Sequence, residues 1–133
     1  MKLLLANLSD MVDDTGGLAK VHCSFANEMK QRGHDVAMVF CDDKIGKPFF
    51  PVDDGVELYN LQHYEDTDIL FPKCLKVKRE IIRAFSTQRA RAVNNEFVEE
   101  YLLKSANSIL HKFSPDIIIS FQPAASKLFL CDL

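Results

Sequence analysis

Apolar residues fall along this chain in two distinct rhythms. Residues 3–6 (Leu-Leu-Leu-Ala), 36–41 (Val-Ala-Met-Val-Phe-Cys) and 117–119 (Ile-Ile-Ile) are short unbroken apolar runs. Runs of that length between polar stretches are the pattern of strands covered on both faces of a parallel sheet. Residues 56–61 alternate well enough for one more short strand. Between the first two runs the rhythm changes. Leu18, Val21, Phe25 and Met29 recur at steps of three, four and four, with His22 and Ala26 alongside and Lys20, Ser24, Asn27 and Gln31 opposite. This spacing predicts an amphipathic helix with an apolar stripe on the sheet and a solvated back. Lys30 and Arg32 meet the negative end of its dipole, and Gly33 is placed to close it in a left-handed conformation. A second helix is predicted over 94–113, where Val93, Phe97, Tyr101, Ser105, Ile109 and Phe113 repeat every four residues and Val98, Leu102 and Leu110 widen the stripe. Pro115-Asp116 ends it. Gln122 and Pro123 then predict a last helix with Pro at its first position.

The order is strand, glycine loop, helix, strand, then a long middle and a further helix-strand pair. That order makes the chain α/β, a Rossmann-like three-layer domain with a mainly parallel sheet. At 133 residues it is read as one domain spanning 1–133, with 47% hydrophobic and 26% charged residues, ordinary for a globular protein. Cys23, Cys41, Cys74 and Cys131 lie far apart with no CxxC pair. A zinc site or disulfide framework is therefore not expected, and a reducing cytoplasm fits best. The apolar run after Met1-Lys2 is too short for a secretory signal, and no run approaches the roughly 18 residues of a membrane span.

Chemistry concentrates near the first loop. Gly16-Gly17 stands between the first strand and the first helix, where glycine lets backbone approach a ligand and a helix N-terminus offers free N–H groups to an anion. The alternative is a tight strand-to-helix turn with no ligand. Asp10, Asp13 and Asp14 precede the glycines; they are candidates to orient a hydroxyl or act as a base, or are a solvated loop. His22 reads as a core or boundary histidine and His34 as support for the helix-to-strand turn, while His63 and His111 have no partner visible in sequence. No Ser/His/Asp or metal-ligand constellation emerges.

These residues carry a resemblance. Gly16, Gly17, Lys20, the run Phe25-Ala26-Asn27-Glu28-Met29, and Arg32-Gly33-His34-Asp35-Val36 are together similar to the N-terminal domain of GT-B glycosyltransferases, most of all the large retaining family 4. Pro115-Asp116-Ile117-Ile118-Ile119-Ser120-Phe121 is similar to that family's Pro-Asp-Val-Ile strand. The matches cover about a third of the chain. The resemblance implies an incomplete N-terminal half of a GT-B fold, truncated at its C-terminus and inert by itself. The whole enzyme would transfer a sugar from a nucleotide-diphosphate sugar to a glycan or lipid-linked acceptor in cell-envelope or polysaccharide biosynthesis, with no metal or other cofactor. The donor nucleotide would be held mainly by a missing C-terminal Rossmann domain. Carried onto this sequence, Gly16 and Gly17 become the loop at the donor diphosphate and sugar, and Asp13, Asp14, Ser120 and Gln122 the acceptor-side candidates. No catalytic residue carries over. The histidine many members have after the Pro-Asp strand is missing, since Ile119 and Phe121 occupy the corresponding places. The alternative to a transferase is a stand-alone flavodoxin-like binding or interaction module without catalysis.

Charge adds a separate expectation. Residues 73–91 hold seven cations against Glu80, a local net of +6 in a chain of net −3. Lys73, Lys76, Lys78, Arg79 and Arg83 gather on one side of a helical projection. Such a face suits an anionic membrane surface or a phosphorylated acceptor, placing the protein in the cytoplasm or peripherally on the cytoplasmic face of the membrane; the alternative is a solvated helix face. Nucleic acid is not an expected partner, because aromatic interleaving is poor and the chain is acidic overall.

Overall fold

The computed structural model describes residues 1–64, 67–68, 81, 84 and 102–131. In chain order the elements are β1 (Lys2–Ala6), α1 (Gly17–Gln31), β2 (Asp35–Phe40), β3 (Glu57–Asn60), β4 (His63–Tyr64), β5 (Thr67–Asp68), α2 (Leu103–Phe113), β6 (Ile117–Ser120) and α3 (Pro123–Ser126). A π-helical turn over Lys127–Cys131 continues α3. β3, β2, β1 and β6 form one four-stranded sheet in that order, every pair parallel. Leu3 stands opposite Val36 on one side and Ile117 on the other. β4 and β5 make a separate antiparallel pair. The domain is thus α/β with a small parallel sheet, compatible with the expected Rossmann-like class.

Alternation along the strands sorts the core into two sides. Leu4, Ala6, Ala37 and Val39 pack with Tyr59, with Ala106, Ile109 and Phe113 of α2, and with Ala125, Leu128 and Phe129. Leu5, Val36, Met38 and Phe40 face the other way, onto Ala19, Cys23 and Ala26 of α1. Helices therefore cover both faces. This is why the strands read as continuous apolar runs instead of alternating ones.

The first helix is turned from its expected orientation. Its buried line is Ala19, His22, Cys23 and Ala26. Val21 is 55% exposed, and Phe25 and Met29 flank the seam half-buried. Small side chains at the seam let the helix axis lie close to the sheet, and the larger ones fill the edges of the contact. Asn27 differs too: its side chain is not spent on water. Nδ2 donates to Pro51 O at 2.9 Å and Oδ1 accepts from the Asp53 N–H at 2.8 Å, pinning the loop before β3. The end of α1 is as expected. Gly33 has φ +89°, its N–H reaches Lys30 O, and the His34 N–H reaches Met29 O. α3 starts with Pro123 at N1 after an extended Gln122. α2 is described from Leu103, so the part of the second predicted helix before it lies outside the described residues, except Leu102, which is buried at its start.

Candidate functional site

Strand order reverses at β1: the chain moves outward through β2 and β3, then returns to place β6 on the other side. In open α/β sheets ligands bind outside the carboxyl ends of strands near such a switch point. A cleft lies there. It has a volume of about 630 Å³ and is lined by Leu8, Ser9, Asp10, Asp13, Asp14, Asp42 and Lys44, residues that follow β1 and β2.

Local hydrogen bonding dictates the cleft's walls. β1 is followed by Asn7, fully buried, whose Oδ1 accepts the Ser9 N–H at 2.9 Å and turns the chain. Asp42, two residues past the end of β2, is 3% exposed. Its Oδ2 accepts the N–H groups of Met11 and Val12, both at 2.9 Å, and its Oδ1 accepts that of Lys44 at 2.9 Å. Asn60, at the end of β3, clamps Asp42 by accepting its N–H and donating to its carbonyl. Burial alone would push the Asp42 carboxyl up. The three N–H donors, with Lys44 nearby, outweigh it and hold the carboxyl below its ordinary value. Asp42 is therefore the fixed post on which both loops hang.

The remaining carboxylates face the opening. Asp13 is ion-paired with Lys44, the cation of the cleft lining. Asp14 Oδ1 accepts the Gly16 N–H at 2.8 Å. A Cβ on Gly16 would lie 2.9 Å from that same oxygen, so glycine here permits the carboxylate to close onto the backbone. Asp10 is exposed and makes no hydrogen bond among the described residues. Partial burial, then the like charges of Asp42, Asp43 and Asp14, push its carboxyl above its ordinary value.

The predicted residues fall into four groups. Asp13 and Asp14 line the cleft, as does Asp10. Gln122 and Ser120 are not in the lining: Gln122 Nε2, just after β6, donates to Asn7 Oδ1 at 2.6 Å and to Ser9 Oγ, stitching the end of β6 to the loop after β1. Ser120 Oγ donates to Gln122 O at 2.8 Å and accepts from Ser126 Oγ at 2.7 Å, a structural role at the start of α3. Gly16 and Gly17 stand beside the lining. Gly17 opens into space, and α1 begins with neither a side-chain cap nor an acid in its first turn. Lys73, Lys76, Lys78, Arg79 and Arg83 lie outside the described residues. Asn7, Ser9, Asp42 and Lys44 escaped the sequence reading. The signal for Asp42 was available: an acid soon after a buried strand, where loop N–H groups need an acceptor.

His22 is fully buried between α1 and the sheet. Its Nε2–H donates to Leu5 O at 3.2 Å, its ring lies 4.6 Å from that of Phe121, and Nδ1 has no partner among the described residues. Burial, opposed only by the Leu5 carbonyl, pushes its pKa down to about 4. It is a neutral core residue. Among the described residues no group of three or more His, Cys, Asp or Glu is arranged to hold a metal ion, and no helix is long and apolar enough to cross a membrane.

Comparison with protein-family models, with characterised proteins and with solved structures gives no significant match.

Proposed function

We propose that this chain is the acceptor-side domain of a glycosyltransferase that uses a nucleotide-diphosphate sugar. The observation that carries the reading is the chemistry of the switch-point cleft. It offers the carboxylates of Asp10, Asp13 and Asp14 and the hydroxyl of Ser9, and the cation in its lining, Lys44, is already paired with Asp13. Carboxylates are strong acceptors for sugar hydroxyls and repel phosphate, so the cleft suits the hydroxyl-rich end of a neutral glycan or lipid-linked acceptor. Asp10, with its carboxyl raised and exposed, is the group best suited to take a proton from an acceptor hydroxyl. The donor diphosphate is assigned to a second domain, with Gly16 and Gly17 meeting it from this side; Asp14 occupies the Gly16 N–H in the free protein and yields that N–H when the donor arrives.

The test is an NMR titration of the isotopically labelled protein with a panel of neutral oligosaccharides and, separately, with nucleotide diphosphates. The reading expects glycan-induced shifts clustered at residues 8–14, 42–44 and 122, with none from the nucleotides alone. Shifts from a nucleotide centred on residues 16–19, with no glycan response, would favour the flavodoxin-like binding module.

A further inference from the structure

Asp54 is the one aspartate in the sequence followed by glycine. The pair occupies the middle of a reverse turn closed by the Val56 N–H on Asp53 O at 3.0 Å. Both residues are exposed. Neither the Asp54 carboxylate nor the Gly55 N–H has a hydrogen-bond partner among the described residues. The other aspartates of residues 1–64 and 102–131 differ on one count or the other. Asp42 is held by three N–H groups, Asp14 by the Gly16 N–H, Asp13 and Asp35 by lysines, and Asp116 by the Lys2 N–H, while Asp10, Asp43 and Asp53 are followed by larger residues that shield the next amide.

We propose that Asp54–Gly55 is a site of spontaneous isoaspartate formation in the folded protein. The Gly55 nitrogen attacks Cγ of the acid form of Asp54. The N–Cγ bond forms, the carboxyl C–O bond breaks, and the hydroxyl leaves as water with the amide proton, giving a five-membered succinimide. Water then adds to one of the two ring carbonyls. Cleavage of N–Cγ restores aspartate. Cleavage of the bond between the nitrogen and the main-chain carbonyl carbon of Asp54 leaves the backbone running through Cγ, with the old main-chain carbonyl as a free carboxylate. Glycine is what makes the attack accessible, because no Cβ shields the nucleophilic nitrogen.

The turn has little room to absorb the extra backbone carbon. Upstream, Asn27 fixes Pro51 and Asp53. Downstream, β3 begins at Glu57 in register with Ala37. The strain therefore falls on residues 54–56, where the Lys30 side chain packs so closely that a Cβ on Gly55 would lie 2.5 Å from its Cε.

The intact protein is aged for weeks at neutral pH and physiological temperature, digested with trypsin, and separated by reversed-phase chromatography with mass detection. A synthetic peptide of residues 50–60 is aged alongside. The expected result is a second peak for the peptide holding Asp54, unchanged in mass, that an isoaspartyl methyltransferase labels and that fragmentation places at Asp54. Asp54→Glu, which keeps the charge but requires a slower six-membered ring, loses that peak. The proposal is overturned if the synthetic peptide isomerises while the folded protein does not. It is equally overturned if the folded protein's isomer maps to another aspartate or persists in Asp54→Glu.

Discussion

At Asp42 one carboxylate gathers three backbone N–H groups from two loops, and its removal leaves those donors with nothing to reach. Asp42→Ala is expected to cost about 3 kcal/mol, since the lost bonds are charge-assisted and the Met11 N–H is buried. Asp42→Asn, which keeps one good acceptor, should cost roughly half as much by the same reasoning. Urea unfolding of both variants checks the order. His22 gives a pH prediction. Its native pKa of about 4 lies below the ordinary 6.5, so between those values the unfolded chain binds the proton and the native one does not. Stability is then full above pH 6.5 and is lost as pH falls toward 4, by an amount on the order of 3 kcal/mol. His22→Leu removes that component. Its unfolding free energy should fall less steeply over the same range, and equal slopes would show that His22 does not titrate as its burial requires.

Among the elements, α1 separates what pattern reveals from what it conceals. The helix, its glycine stop and the buried strand after it were legible, because period and stop residues are properties of the chain itself. Which face met the sheet was not. Hydrophobicity favoured Val21 and Leu18, but close packing on a parallel sheet selected Ala19, Cys23 and Ala26 for their size. Ala26→Leu is accordingly expected to destabilise by about 1–3 kcal/mol through overpacking, whereas Val21→Ser should lie within about 0.5 kcal/mol of the parent. Thermal unfolding of the pair decides between the two faces, and the reverse order would restore the hydrophobicity-based one. Of the cleft's lining, Asp10, Asp13 and Asp14 were legible from their places after β1. Asn7, Ser9 and Lys44 were not, because their partners Gln122 and Asp13 lie far off in sequence, whereas Asp42 carried the signal of an acid soon after a buried strand.

For the molecule as a whole, the parallel sheet puts the ends of β1, β2 and β6 on one side, and the loops that follow them are bound into one wall by Asp42 and Gln122. The cleft so formed is acidic. On the proposed function this wall receives a neutral, hydroxyl-rich acceptor. The most direct measurement compares, by calorimetric titration, a neutral oligosaccharide that binds with the same oligosaccharide carrying one phosphate. Like-charge contact with Asp10, Asp13 and Asp14 should weaken the phosphorylated ligand by about tenfold or more, and Asp10→Asn should narrow that gap. Equal affinities, or tighter binding of the phosphorylated form, would contradict the acceptor-side assignment.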